Sequence, residues 1–486
     1  MSEAERRVRR WLPLAASGLV VALRWACRAR MVDGWDDASF VLAVERFDLA
    51  RFSPHFPGYP VYVVLCKCAH TLGLAPLDAC LAVSALAGGV TAIALHRIGV
   101  TLGGARAGWC ALGLWAGAFL PWLLGGSALS DGTAAALFAA ALALAIAEPP
   151  RPLLAGALAG LMMGARLSYA PLAMGLCAWT ILRRRERLAR TVVGLLAGTL
   201  AWLIPFVALV GPRALWAIGR AHLVGHFTDW GGSVVTDPSL ASRAFASARD
   251  LFYDSLFPST AGLVLAALLI AACLVMRRPT RRLLTSALLL AGPYALWAFV
   301  GQNVVEQPRH LLPLVVIAIL GLAWIAAARV MTAIAIVALA FLFGAPLAIA
   351  HATQRPSWRQ ILDALESAHP GAAPKEVALL GTASLRMIGS AALLDGAALV
   401  TREAHSLGEV DGALERLPIL PRHPWLTSEI AGAGAPTRVA RPLSSLTQCR
   451  DARLDRAHAC MTVFEYEIHI ERPATLPLPP IGAPRH

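Results

Sequence analysis

Two adjacent carboxylates, Asp36 and Asp37, stand in the segment Val32-Asp33-Gly34-Trp35-Asp36-Asp37-Ala38-Ser39-Phe40, just beyond an apolar run. Neighbouring carboxylates at a membrane surface repel each other and lose hydration. Both effects raise at least one pKa and make that group a stronger base than a free aspartate. The bland alternative is a pair of solvated loop residues. A second acid, Asp131, precedes an apolar run in Gly126-Ser127-Ala128-Leu129-Ser130-Asp131-Gly132. There it is open to two readings: a helix N-cap shared with Ser130, or a charge facing the interior of a bundle, which is a functional candidate. Arg309, in Gln307-Pro308-Arg309-His310-Leu311-Leu312-Pro313, lies at the lip of another apolar run. Its guanidinium can grip a phosphate with two parallel hydrogen bonds at headgroup depth, or simply anchor the chain at the interface. Arg166 interrupts an apolar run, where burial costs roughly 2.5–3.5 kcal/mol; an exposed hairpin end, with the side chain snorkelling, is the equal alternative. His55 and Tyr59 belong to His55-Phe56-Pro57-Gly58-Tyr59-Pro60. His222, His226, Asp229 and Trp230 show no metal-ligand spacing and are candidate contacts to an acceptor.

The elements that must position these residues are membrane helices. Of the 486 residues 57% are hydrophobic and only 15% charged, against the roughly 25% charged that a soluble protein carries. Apolar runs fall at about 11–30, 77–96, 107–125, 132–147, 153–167, 168–182, 191–211, 260–276, 283–300, 311–328 and 330–350, each near the ~20 residues that cross a bilayer. The class is all-α and polytopic, with about eleven spans. The net charge of +13 lies among these runs and not in a nucleic-acid-binding tail, because the segment from His351 onward carries 14 basic and 14 acidic side chains. Residues 12–23, preceded by Arg6, Arg7, Arg9 and Arg10, resemble a signal peptide. Arg24, Arg28 and Arg30 follow where a small-residue cleavage site would stand, so an uncleaved first span is expected. The nine cysteines show no metal-ligand spacing; Cys449 and Cys460 could pair in an oxidising compartment.

Residues 58–74 are apolar yet contain Lys67 and His70, and whether they cross decides the topology. If they do not, and the N-terminus is cytoplasmic, the cytoplasmic loops collect seventeen arginines against four glutamates, as the positive-inside rule requires. The segment is therefore expected to be interfacial or re-entrant. Asp36, Asp37, Asp131 and Arg309 then share the external side, in or beside the external loops 31–57 and 212–259. The expected organisation is a membrane domain over 1–350, a small external α/β domain over 351–472 with strands near 376–380, 397–401 and 461–470, and a Pro-rich disordered end over 473–486.

The order of these signals carries a resemblance. Asp36-Asp37-x-x-Phe40 resembles the Asp-Glu-x-x-aromatic motif of GT-C-fold glycosyltransferases, the superfamily of the protein O-mannosyltransferases and lipid A aminoarabinose transferases. His55-Phe56-Pro57-Gly58-Tyr59-Pro60 is similar to their His-Pro-Pro-Gly-Tyr-Pro element, with Phe56 replacing a proline. Pro308-Arg309-His310-Leu311-Leu312-Pro313 is similar to their Pro-Arg-Tyr-Leu-x-Pro segment, with His310 replacing tyrosine, and Asp131 falls where such proteins carry a second external acid. The resemblance covers about residues 11–350. It implies a GT-C membrane transferase of the cell envelope, in a bacterial inner (plasma) membrane, with a periplasmic active site and the C-terminal domain external. The reaction implied is inverting transfer of a sugar from a polyprenyl-phosphate carrier to a lipid, glycan or protein acceptor, with membrane lipids and no nucleic acid as further partners. Asp36 would be the general base and Asp37 would orient it or share its charge. Asp131 would bind donor or acceptor sugar, and Arg309 would hold the leaving phosphate. Arg166, His310, His55 and Tyr59 would complete the substrate site. No cofactor is expected; a divalent metal on Asp36 and Asp131 is the disfavoured option. The rival is a transporter or flippase for a lipid-linked solute, which needs a polar path at mid-membrane. The runs 107–125, 132–147, 191–211 and 330–350 hold no acid or base, which counts against it.

Overall fold

The computed structural model describes residues 3–237 and 239–368 together with 377–381, 399–403, 423–427, 439–449 and 460–468; the Pro-rich segment 473–486 lies outside the described residues. Two compact units emerge, one built on Met1–Pro356 and the other on residues from Ser357 onward.

The first unit is helical. It runs α1 (Glu3–Ala26), α2 (Trp35–Glu45), α3 (Pro60–Thr71), α4 (Pro76–Gly103), α5 (Ala105–Gly117), α6 (Phe119–Gly125), α7 (Asp131–Ile146), α8 (Pro152–Ala165), α9 (Ala170–Arg184) and α10 (Leu188–Val210). It continues with α11 (Pro212–Gly225), α12 (Leu240–Arg249), α13 (Thr260–Met276), α14 (Arg281–Gly301), α15 (Leu312–Ala326) and α16 (Val330–Thr353). Every expected span finds a helix. By length and composition five helical stretches among the described residues can cross a membrane on their own, or six if the bent pair α5–α6 counts as one. The expected span 107–125 is a bent one: the chain turns by 63° between α5 and α6. Pro121, at the third position of α6, has no N–H to return to Gly117, so one continuous helix is interrupted there. The freed Leu120 N–H donates instead to Ser255 O at 3.2 Å.

The shorter apolar helices fall short for a reason tied to the site. α8 has 14 residues, about 21 Å of rise against a ~30 Å hydrocarbon core, and it stops where Arg166 leaves the helix. α7 starts at Asp131, beside it. α8 and α10 approach closely because Gly156 and Gly160 face Gly194 and Gly198: a Cβ at any of them would collide with the opposite backbone. Helix α3 is only 12 residues long and Lys67 Nζ donates to Val44 O at 2.6 Å, so segment 58–74 holds no helix of spanning length, as expected.

Directionality is set by α15, which starts beside Arg309 and ends at Ala326, about 22 Å away. At its far end Arg277 Nη1 donates to Trp324 O at 2.9 Å and Arg106 Nη1 to Ala327 O at 3.0 Å. Arg106 and Arg277 therefore mark one end of α15, and the aspartates described below lie at the other.

The second unit holds α17 (Ser357–Ala368) and a five-stranded sheet. Its strands are β1 (Val377–Gly381), β2 (Leu399–Glu403), β3 (His423–Thr427), β4 (Val439–Cys449) and β5 (Cys460–Ile468), in the order β2-β1-β3-β5-β4. β1 is parallel to β2 and β3, while β5 is antiparallel to β3 and β4. The three expected strands are present; β3 and β4 are additional, and Cys449 is disulfide-bonded to Cys460.

Candidate active site

The site begins with helix α2. Gly34 precedes it in an extended conformation, and Asp36 and Asp37 occupy its first turn, where the exposed N–H groups of a helix favour negative charge. Consecutive helical residues point about 100° apart. The two carboxylates, adjacent in sequence, therefore serve different surroundings. Asp37 is buried, and its Oδ1 accepts from the Ala128 N–H at 2.9 Å, tying α2 to the loop ahead of α7. Burial and the neighbouring Asp33 raise its pKa well above the usual carboxylate range, only partly opposed by Arg309. Asp36 faces the other way and forms an ion pair with Arg309 Nη2. Burial alone would raise its pKa, but Arg309, by charge and hydrogen bond and with Arg166 behind it, outweighs burial and holds it well below the ordinary value. The sequence-based expectation that one of the pair is raised is met by Asp37, not by the proposed base.

Arg309 sits in a short 3-10 turn, Pro308–Leu311, leading into α15. Gln307 Oε1 accepts from both its Nε (2.9 Å) and its Nη2 (2.6 Å), while Nη1 stands 3.9 Å from Asp131 Oδ2. Asp131 is fully buried. It does not cap α7: Ser130 is the N-cap and no side chain makes a capping bond there. Its Oδ2 accepts from Arg166 Nη1 at 3.1 Å, and its Oδ1 has no hydrogen-bond partner among the described residues. Arg166, 5% exposed, does not snorkel. It donates also to Ser130 Oγ at 3.3 Å and to His310 Nδ1 at 3.2 Å, and the His310 carbonyl accepts from Tyr294 OH at 2.7 Å. Two guanidiniums and two carboxylates from α2, α7, the end of α8 and the entry to α15 thus balance one another in one cluster, with Asp131 and Arg166 buried and Asp36 and Arg309 partly so.

His55 and Tyr59 flank Asp36. His55 Nδ1 lies 3.6 Å from Asp36 Oδ1 and 3.1 Å from Ser39 Oγ, and its Nε2 lies 2.7 Å from Tyr59 OH. Burial, helped by Arg309, His222 and Arg166, lowers the His55 pKa to about 4 despite Asp36, so the ring is neutral. Burial pushes the Tyr59 phenol up to about 12. Tyr59 has φ 46°, a strained conformation for a tyrosine, and Gly58 before it has φ 91°. A Cβ at Gly58 would strike the Phe206 ring, so the turn that delivers Tyr59 requires glycine. The Trp35 indole stacks on the His55 ring at 5.3 Å.

All eight sequence-based candidates meet in this cluster or at its edge. Of the other four, His222 packs against Phe56 and stands 6.4 Å from His55, ring to ring. His226 Nε2 bonds the Gly301 carbonyl at 2.6 Å, and Asp229 is exposed. Trp230's side chain lies outside the described residues. Ser39 and Gln307 were not singled out; their signal, three residues after Asp36 and two before Arg309, becomes visible once the helix and turn are known. Among the described residues no three His, Cys, Asp or Glu side chains group closely enough to hold a metal ion.

No known family model matches the sequence, and no curated protein matches it. Among solved structures the chain is similar to ArnT from Cupriavidus metallidurans bound to undecaprenyl phosphate, at 14% identity and a TM-score of 0.55 over 95% of this chain and 98% of that one. The apo state of the same protein gives the same values. The chain has the GT-C fold. It is an integral membrane protein. The likeness extends past residue 350, where the sequence resemblance stops, and takes in most of the C-terminal unit.

Proposed function

We propose that this GT-C protein is an inverting glycosyltransferase that moves a sugar from a polyprenyl-phosphate carrier to an acceptor at the external face of a bacterial inner membrane. The observation that carries the reading is the meeting of Asp36 and Arg309 in one partly buried site with a second, fully buried acid, Asp131, beside them. Undecaprenyl phosphate bound to ArnT supports a carrier of that chemical class.

The geometry suggests how the parts divide the work. The leaving group departs as a phosphate anion, and a fixed guanidinium in a desolvated site stabilises that developing charge. Arg309 supplies it, with Arg166 behind. Asp36 takes the proton of the acceptor hydroxyl as it attacks the sugar carbon from the face opposite the phosphate. The unpartnered Oδ1 of Asp131 is a ready acceptor for a sugar hydroxyl. In the resting site Asp36 is held by Arg309 and is a poor base; a donor phosphate competing for the guanidinium frees it, so basicity appears when the donor is in place. Charge compensation comes from arginine in this reading, and no metal is assigned a role. The gathering of Arg106 and Arg277 at the far end of α15 supports a cytoplasmic N-terminus and an external site.

The test is transfer from undecaprenyl-phosphate-linked sugars in membranes by wild type and Asp36→Asn. Asparagine keeps the size and an Arg309 contact but cannot accept a proton, and a loss of about 10²–10⁴-fold in kcat is expected. Transfer at the wild-type rate by a correctly inserted variant removes Asp36 as the base.

A further inference from the structure

When a donor phosphate draws the Arg309 guanidinium away, Asp36 loses its main partner. We propose that His55 then takes over as a positioning residue, donating its Nδ1–H to the Asp36 carboxylate, with Ser39 and Tyr59 fixing the tautomer that makes this possible. The inference rests on the reading of Asp36 and Arg309 given above.

The tautomer follows from counting protons. Ser39 has one hydroxyl hydrogen, and its oxygen lies 2.8 Å from the Asp36 carbonyl, which can only accept, so the network assigns the hydrogen to that contact. The Ser39 oxygen, 3.1 Å from His55 Nδ1, can therefore only accept, so Nδ1 carries the ring proton. Nε2 is then bare and accepts from the Tyr59 phenol at 2.7 Å. The opposite tautomer would set a bare Nδ1 lone pair against both the Ser39 oxygen and the Asp36 carboxylate. The low pKa of His55 and the high one of Tyr59 agree with a neutral ring and an intact phenol.

Every part of this chain is anchored. Asp36, Ser39 and Phe40 share one face of α2 at spacings of three and four, and the imidazole stacks on Trp35 and meets Phe40 at a tilt. From 3.6 Å, an approach of about 0.7 Å brings Nδ1 within ordinary hydrogen-bond distance of Asp36 Oδ1. A neutral donor keeps the carboxylate ionised and aimed without a full positive charge, leaving it more basic than Arg309 does. The charged and titratable groups facing Asp36 are Arg309, His55, Arg166, Tyr59 and His310, with Asp37 beside it; those facing His55 are Asp36, Arg309, His222, Arg166 and Tyr59.

The test reads proton uptake when undecaprenyl phosphate binds the full-length protein in nanodiscs, by calorimetry near neutral pH in buffers of different ionisation enthalpy. The phosphate's own titration is common to all variants, so each is read as a difference from wild type. His55→Leu leaves Asp36 without either donor and is expected to take up as much as about one additional proton per bound lipid. His55→Asn, whose amide N–H replaces Nδ1–H, returns uptake to the wild-type level, whereas His55→Gln, which mimics Nε2, does not. Asp36→Asn combined with His55→Leu abolishes the additional uptake. The pair Ser39→Ala, Tyr59→Phe removes only hydroxyl groups and gives an intermediate value, which keeps the test intact should His55→Leu fold poorly. Wild-type uptake in His55→Leu, or in the hydroxyl pair, overturns the inference while leaving the functional reading standing. Undiminished binding by Arg309→Ala overturns the functional reading, and the inference with it.

Discussion

At one end of the helical unit Arg106 and Arg277 donate to the carbonyls of Ala327 and Trp324; at the other, Arg166 and Arg309 face the carboxylates of Asp131 and Asp36. Both pairs of arginines sit at helix ends in an apolar protein, and their partners set them apart. A backbone carbonyl satisfies a guanidinium N–H while leaving its charge to water and headgroups, which suits loops that fix topology and stay where they are. A buried carboxylate neutralises the guanidinium, and an incoming phosphate can take the carboxylate's place with little change in electrostatic environment. Arginine at the first end is an anchor, and at the second a preformed and exchangeable anion site.

The largest effect that would test this contrast belongs to Arg309. Arg309→Ala is expected to weaken binding of undecaprenyl phosphate about 100-fold or more and to cost roughly 2–3 kcal/mol of stability, because Asp36 loses its ion pair and is left with only a neutral donor. Adding Asp36→Asn should recover most of the stability and none of the binding. Recovery of both would show the arginine to be structural only. Arg309→Lys should recover part of the binding, since an ammonium cannot make two parallel bonds.

Asp37 sharpens the contrast within the site itself. Its raised pKa means that the folded state keeps a proton the unfolded state releases. The stability this contributes is complete below the unfolded carboxylate value near 4 and is lost as pH rises toward the folded value. Asp37→Asn still accepts from Ala128, so it should flatten the decline of melting temperature with rising pH and change transfer by less than about 10-fold. Asp36 carries the opposite sign: its pairing stabilises the fold above the unfolded value and is lost as pH falls. A defect in Asp37→Asn as deep as that of Asp36→Asn would make the two carboxylates one functional unit.

The smallest effects are expected at the anchor end. Arg277→Gln removes one charged hydrogen bond to Trp324 and should cost about 1–2 kcal/mol in detergent melts, with transfer within about twofold of wild type. A large catalytic loss there would break the division of labour between the two ends.

Much of this was legible before any coordinates. The eleven apolar runs each became a helix, segment 58–74 holds no helix of spanning length, and the eight candidate residues converge as their motifs implied. Two details were not legible, for identifiable reasons. Hydropathy averages over a window and is blind to one proline, so the bend before Pro121 was invisible. Asp36 and Asp37 do couple electrostatically, as adjacency suggests, and Asp36 helps to raise Asp37; what adjacency cannot tell is which of the two is raised, because the helical turn sends one toward Arg309 and the other toward Ala128.

The amino-acid sequence by itself determined the membrane class, the clustering of arginine in alternate loops and the identities of the acids and bases available for chemistry. These follow from composition and from the cost of placing charge in hydrocarbon, which act on each segment separately. Only the tertiary structure decided that Arg309 rests on Asp36, that Arg166 is buried on Asp131, and that Ser39 and Tyr59 assign the proton of His55. Those outcomes depend on angles between helices far apart in the chain, and a hydrogen bond of 3 Å exists or fails on shifts of about 1 Å that no local pattern encodes.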